Sequence, residues 1–264
     1  MTNKPKFATT VLATLLVFIL CASAHGMNLL TCDEPPMNYL VDGKVTGIVT
    51  DIVKEISTQT GADDKIKLLP WARAYAIGLN EANIVLFTAA RTQKREKLFH
   101  WVGPVIKKRW VLFARQDSNI TIEKMDDAKK VNFIGVMRKD ARESFLKTKG
   151  FENLYLLNSH DLALRMLVFK RIDLFASSDI ELLILSQKLN IRQSQVKNAC
   201  TLKNIESYIL ISKATPKHTV RLWQNTFEII KEDGTFSKIG EKWARALNIP
   251  LTGENGVMEI SNLN

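Results

Sequence analysis

The chain has little with which to hold a metal or to build a familiar catalytic centre. Its three cysteines stand at 21, 32 and 200, and its four histidines at 25, 100, 160 and 218. None of them shows metal-ligand spacing. No G-x-S-x-G, H-E-x-x-H or P-loop segment occurs, and no nucleophile sits beside an obvious base. These absences leave no expectation of a cofactor or a metal, and they argue against an enzyme. Low-complexity linkers and regular repeats are missing too, which excludes a solenoid. After residue 24 no apolar run is long enough to span a bilayer.

The one concentrated apolar run lies at the start. Lys4 and Lys6 precede "VLATLLVFIL" (11–20), and "CASA" (21–24) follows. That is a charged region, an apolar core and an A-x-A cleavage signal with Ala22 and Ala24 as its small residues. A signal peptide over 1–24, removed before His25, is expected, and with it a periplasmic protein. Leu20 stands before Cys21 where lipid attachment would need a small residue. Acidic residues are the scarcer charge, 27 against 37 basic ones, so the net charge is +10; without Lys4 and Lys6 it is +8. Export argues against nucleic acid as a partner. The basic balance then suits an anionic ligand, an envelope surface or plain solubility. Cys32 and Cys200 remain after processing, and whether they pair is open.

About 240 mature residues suit one large domain or two lobes, and 46% hydrophobic residues supply a core. Strand and helix patterns take turns. "MNLLTC" (27–32), "KIKLLP" (65–70) and "NIVLFTAA" (83–90) read as strands. Between them, "GIVTDIVKEISTQTG" (47–61) places Ile48, Ile52, Val53 and Ile56 at helical spacing, with Asp51 in the first turn and Gly61 as a stop. "WARAYAIGLNEA" (71–82) reads as the next helix. After an extended "VIKKRWVLFAR" (105–115) the alternation restarts, with strands at 131–137, 153–158 and 173–178 and helices at 140–150, 159–171 and 179–190. "SYILISKA" (207–214) is extended, and two helices close the chain. Trp101, Trp110, Trp223 and Trp243 lie in apolar patterns and read as core. Such alternation predicts an α/β fold with parallel-rich sheets flanked by helices. Its ligands bind beyond the carboxyl ends of the strands. Those segments carry Arg73, Arg91, Arg95, Arg138 and Arg142, with Asp33, Glu34, Asp140 and Asp179, and the aromatics Tyr39 and Trp71.

Five segments, in order, resemble the family 3 extracytoplasmic solute-binding proteins, the amino-acid-binding class of ABC-type receptors. They are "GIVTDIVKEI", "LPWAR", "TQKR" followed by "HWVGPV", "FIGVMRKDARESFL" and "LRMLVFKRIDLFASSD". The resemblance implies a two-lobe periplasmic-binding-protein-like fold of type II with two hinge crossings, near 110–116 and 206–212. Residues 25–112 and 208–264 would form the first lobe and 113–207 the second. It further implies that Arg95, in Thr92-x-x-Arg95, grips a ligand carboxylate, for which a guanidinium fork is well shaped. Thr88 would donate beside it. Trp71 would stack on the apolar part of the ligand, with Tyr39 as the opposite wall and Arg73 at the rim; Arg138 would reach in from the second lobe.

Three positions depart from the family pattern. Arg91 stands where an aliphatic residue is usual, and either adds a second positive charge to the pocket or points to solvent. Asp179 resembles the aspartate that takes the ligand's ammonium, but it follows Asp173 by six residues, one more than expected. Either a bulge restores the register, or Ser178 faces the cleft and Asp179 caps the next helix. Lys139 and Asp140 replace a Gly and a Ser or Thr, and Asp140 reads as a helix cap.

The expected function is capture of an amino acid or related small carboxylate for ABC-type uptake by a monomer, with an inner-membrane permease or a sensor protein as partner. An orphan receptor reporting to a sensor is the alternative, as is dehydratase-like chemistry with Asp33 or Glu34 as its acid. The export reading predicts that Ala24→Asp blocks processing, and that N-terminal sequencing of the secreted protein starts at His25. A mature protein retaining 1–24 would refute it.

Overall fold

The computed structural model describes residues 26–62, 65–253 and 256–260; the expected signal peptide and its cleavage point lie outside them. The chain opens with β1 (Asn28–Thr31), a hairpin of β2 (Tyr39–Val41) and β3 (Lys44–Thr46), α1 (Ile48–Thr60), β4 (Ile66–Leu68), α2 (Trp71–Asn80) and β5 (Ile84–Ala90). A long strand, β6 (Phe99–Arg115), leads to β7 (Ile134–Met137), α3 (Ala141–Thr148), β8 (Leu154–Leu157), α4 (His160–Val168), β9 (Leu174–Ser178) and α5 (Asp179–Lys188). A second long strand, β10 (Val196–Ser212), returns to α6 (Lys217–Glu232), α7 (Thr235–Leu247) and a short pair, β11 (Leu251–Thr252) and β12 (Glu259–Ile260).

Eight strands form one mixed sheet in the order β4-β1-β5-β10-β6-β9-β7-β8. β1 pairs in parallel with β4 and β5, and β7 with β8 and β9. Helical crossovers between consecutive strands require that sense. β6 and β10 are different. Each is 17 residues long, and they run antiparallel from Val196 opposite Arg115 to Ser212 opposite Phe99. β10 also pairs with β5 through Ser207–Ile211, and β6 with β9 through Trp110–Ala114. Each long strand therefore belongs to both halves of the sheet. The two extended passages at 105–115 and 207–214 are parts of this one ribbon, which starts earlier on both sides, at Phe99 and Val196.

Each half has its own core, although Ile180 of α5 reaches into the first and Ala90 of β5 packs with Ala141 of α3 across the seam. In the first, Ile48, Ile52, Val53 and Ile56 of α1 are fully buried, as their spacing predicted, against Trp223 and Phe227 of α6 and Phe236 and Trp243 of α7. Asp51 accepts hydrogen bonds from Trp243 Nε1 (2.9 Å) and Lys242 Nζ (2.7 Å), so the first turn of α1 is tied to α7. In the second, Leu164 and Leu167 of α4 pack with Phe175 of β9 and Leu185 of α5. Trp110, Trp223 and Trp243 are buried, whereas Trp101 is half-buried under Arg91. Cys32 and Cys200 are free thiols.

All seven residues of β5 are buried, the pattern of an inner strand covered on both faces. Near its carboxyl end the pairing with β10 slips by one residue, and Thr88 is the extra residue, with φ +66°. Ahead of α1, Gly47 adopts φ 133° and ψ 169°, a region open only to glycine. A Cβ there would strike the Met37 carbonyl group. Gly47→Ala should cost about 3 kcal/mol of stability. Urea unfolding with an unchanged midpoint would show that the loop from Pro36 to Gly47 is not fixed this way.

Candidate functional site

The carboxyl ends of β1, β4, β5, β7 and β9 converge where the two halves meet. Beyond β5 the chain turns tightly, with Arg95 N–H donating to Thr92 O (2.9 Å) and Leu98 N–H to Arg95 O (3.0 Å). The turn folds the Arg95 side chain back under the sheet end, where it is 7% exposed. Its guanidinium lies 5.1 Å from the Trp71 ring and 5.0 Å from the Tyr75 ring, both on α2. Nη1 donates to Ala90 O at 3.4 Å and Nη2 to Lys139 O at 3.3 Å. Trp71 Nε1 donates to that same Lys139 carbonyl at 2.9 Å. Lys139 has φ +58°, so the chain between β7 and α3 makes a left-handed step there.

On the far side, Asp140 caps α3, as its sequence position suggested. Its Oδ1 accepts from the Arg142 backbone N–H (2.8 Å) and from Arg142 Nε (2.6 Å). Arg142 Nη1 reaches Glu181 Oε2 at 3.0 Å, and His160 Nδ1 lies 2.9 Å from Glu181 Oε1. On the near side, Lys108 from the middle of β6 is ion-paired with Glu34, and both are buried. Thr88 donates to Asn38, whose amide in turn reaches Cys32 O at 2.5 Å. Glu34, Trp71, Thr88, Arg95, Asp140 and Arg142 share the lining of one small cavity, about 20 Å³ in volume, together with Cys32, Met137 and His160.

Burial opposes the charge of Glu181, but His160 and then Arg142 outweigh it and hold this carboxyl well below the usual carboxylate range. Asp140 is also lowered, because the adjacent Arg142 guanidinium overcomes its burial. Glu34 goes the other way. Burial raises its carboxyl despite the pull of Lys108. The Cys32 thiol is pushed up by burial and by Glu34. Among the described residues no cluster of His, Cys, Asp or Glu could hold a metal ion.

The other expected site residues lie elsewhere. Arg91 forms a two-pronged pair with Glu96 (2.8 and 2.5 Å) over the rings of Trp101 and Tyr208. Asp179 is the first residue of α5, after Ser178, and accepts from Arg109 Nε (2.8 Å) and Ile180 N–H (2.9 Å). Arg91 and Asp179 both line a wider groove of about 860 Å³ along the crossing strands, separate from the cavity at Arg95. Arg73 and Arg138 are exposed and line neither. Tyr39 packs edge-on against Trp243 at 6.4 Å, at the first core. Sequence reasoning passed over Lys108, His160 and Glu181, and left Arg142 without a role. Two of these had a signal. Lys108 shares a strand face with the buried Ile106 and Trp110, and Ser178-x-x-Glu181 is the pattern of a capping box.

The sequence profile of bacterial extracellular solute-binding proteins, family 3, matches residues 28–246. This chain belongs to that family. The solute-binding fold is shared with a histidine kinase sensor domain described as similar to periplasmic binding proteins (TM-score 0.75, 16% identity, 84% of this chain and 97% of that one). It is also shared with a mutant of the arginine-binding protein from T. maritima (0.74, 17%, 84% and 97%) and with an ancestral arginine-binding protein bound to arginine (0.73, 19%, 83% and 98%). No curated protein matches this solute-binding chain in sequence. Family and fold are those of binding proteins, and no helix among the described residues is long and apolar enough to cross a membrane.

The buried network has a definite pH signature. Glu181 is lowered from an ordinary 4.5, so the folded protein binds this proton more weakly than the unfolded chain. Its contribution is present above that pH and is lost as pH falls below it. Glu34 has the opposite sign, since a raised carboxyl makes ionisation costly as pH rises. Glu181→Gln should lower stability at pH 7 by about 3 kcal/mol, the scale for removing one partner from a buried ion cluster. The deficit should shrink in strong acid. Urea unfolding curves for variant and wild type that stay equally far apart from pH 7 to pH 3 would rule this out.

Proposed function

We propose that this protein is a periplasmic receptor that captures an amino acid or a related small carboxylate between two lobes and delivers it to an ABC-type importer. The observation that carries the reading is Arg95. It is a buried guanidinium at a strand end, flanked by aromatic faces, and among the described residues only backbone carbonyls engage its fork. A carboxylate is a far stronger acceptor for such a group than a carbonyl. In this reading Trp71 covers the apolar part of the ligand and Thr88 stands beside its polar end.

The lobes are residues 25–112 with 208–264, and 113–207. A cavity of about 20 Å³ has room for a water molecule and not for an amino acid. The lobes therefore part to admit ligand, bending the ribbon of β6 and β10, and the ligand carboxylate takes the place of Lys139 O on Arg95. The signal peptide leaves after Ala24 on export. Arg91 and Asp179 belong to the groove along the crossing strands.

A second reading makes the protein a receptor that reports occupancy to a sensor protein. It is favoured by the likeness to a histidine kinase sensor domain. Both readings need the same site.

Thermal-shift screening against amino acids, dicarboxylates and short peptides tests the reading directly. For the strongest hit, Arg95→Ala should weaken binding by about 2–5 kcal/mol, as measured by calorimetry. Unchanged affinity would remove Arg95 from the site, and recovery of a chemically altered ligand would point to an enzyme instead.

A further inference from the structure

At the edge of the seam a bridge of three charges joins the two halves. Lys188, in the last turn of α5, stands between two carboxylates. Its Nζ lies 3.1 Å from Asp33 Oδ2 and 3.0 Å from Asp161 Oδ2. Asp161 is in the first turn of α4 and shares the second half with Lys188, whereas Asp33 follows β1 in the first half. An anion at a helix N-terminus and a cation at a helix C-terminus are favoured where they are. The second half therefore holds its share of the bridge in place whatever Asp33 does. Partial burial works against the Lys188 charge, yet Asp161 and Asp33 together raise its proton affinity.

The bridge is one residue away from the small cavity on both sides. Asp33 lies between Cys32 and Glu34, and Asp161 follows His160; Cys32, Glu34 and His160 all line the cavity. Whatever moves the cavity walls apart also pulls on the bridge. Among the described residues Lys188 is the one ionic partner of Asp33, and Asp33 Oδ1 is buried without a hydrogen bond.

We propose that Lys188 is a latch that sets the fraction of ligand-free protein whose cleft is closed. The latch rests on the two-lobe movement of the reading above, and not on the identity of the ligand. With Lys188 in place, closure brings Asp33 to an ammonium. Without it, closure brings Asp33 towards Asp161, a like charge. The lysine thus turns a repulsive approach into an attractive one. On opening it keeps Asp161, so no ammonium is stranded and the latch can release. Asp33 Oδ1 works against closure, because an unmet buried acceptor costs free energy. A contact attractive at one oxygen and unmet at the other is poised, and the differential contacts of a bound ligand can shift it.

The test uses the purified protein, unfolded and refolded to strip any carried ligand. Spin labels on Glu81→Cys and Glu152→Cys, two exposed positions on opposite halves, report closed and open populations by pulsed electron paramagnetic resonance. Cys32→Ala and Cys200→Ala are present throughout, so that only these positions are labelled. Lys188→Gln should lower the closed-to-open ratio about fivefold, the scale of a 1 kcal/mol contact, and Lys188→Glu should lower it further. Asp33→Lys combined with Lys188→Glu again sets opposite charges across the seam and should recover most of the loss. A merely structural role for the Lys188 side chain gives no such rescue. An unchanged ratio in both single variants, or a loss that the charge swap leaves in full, refutes the latch. A mixture of the twenty protein amino acids separates this from failure of the receptor reading. If the mixture shifts the populations and Lys188→Gln does not, the latch alone falls. If neither the mixture nor any variant shifts them, the two-lobe movement falls and the latch with it.

Discussion

Charge buried in the seam between two separately cored halves has to be compensated inside that seam. Water is largely excluded there, and an unpaired ion costs several kcal/mol. Glu34, Lys108, Arg142, His160 and Glu181 are all buried at this place. Lys108 answers Glu34; Arg142 answers Asp140 and Glu181, with His160 against the far oxygen of Glu181. Arg95 is the exception, with rings and carbonyls around it but, among the described residues, no carboxylate bonded to it. The geometry of the surrounding elements follows from these pairings. The Asp140 cap fixes the start of α3, the Ser177 and Glu181 contact fixes the start of α5, and Lys108 anchors the loop after β1 to the crossing ribbon.

The α/β architecture was legible in the sequence because its elements are buried on regular faces. Ile48, Ile52, Val53 and Ile56 repeat with the helix, and β5 is a buried run apolar but for Thr88; each pattern is a direct record of what the element touches. The full extent of β6 and β10 was not legible. β6 begins with "FHWVGPV", where Gly103 and Pro104 imitate a turn, and the first part of β10 is the polar "VKNACTLKNIE". The first stretch pairs with residues near the end of β10 and the second with the later half of β6; in the second, Asn198, Thr201, Lys203 and Asn204 face solvent, so the apolar alternation that marks a strand is missing there.

The site shows the same division. Arg95 and Trp71 were legible from local motifs at strand ends, and Asp140 from its place before a helix. Lys108, His160 and Glu181 were not, although Lys108 and Glu181 had some local trace. Whether a charged residue is buried depends on a partner, and these partners are distant in sequence. Lys108 meets Glu34, and Glu181 meets Arg142 and His160. No window along the chain contains both members of such a pair. Placing Asp179 required knowing that Arg109 stands opposite it on the neighbouring strand, which is again a matter of sheet register and not of motif.

The same arrangement bears on how the cleft can work. The bonds that span the two halves away from the ribbon include Trp71 and Arg95 to Lys139 O, Lys94 to Ser144, and Lys188 to Asp33. The last two are exposed, where such contacts contribute about 0–1 kcal/mol, and the bonds to Lys139 O are ordinary ones, about 1 kcal/mol each net. Together they amount to a few kcal/mol. Beside them, among the described residues, only small apolar contacts join the halves away from the ribbon, such as Ala90 with Ala141 and Ile180 at the first core, so the proposed opening would ask for no unfolding of either half. A few kcal/mol is of the size by which a ligand can shift a two-state equilibrium through differential contacts. The strong ion pairs, Lys108 with Glu34 and Arg142 with Glu181, do not run directly from one half to the other. Arg142 and Glu181 lie within the second half, and Lys108 ties the first half to the shared ribbon. In the proposed opening these charges would be exposed as pairs and the pairs left intact. The weak bonds are concentrated at the Lys139 carbonyl, the acceptor that a ligand carboxylate would replace.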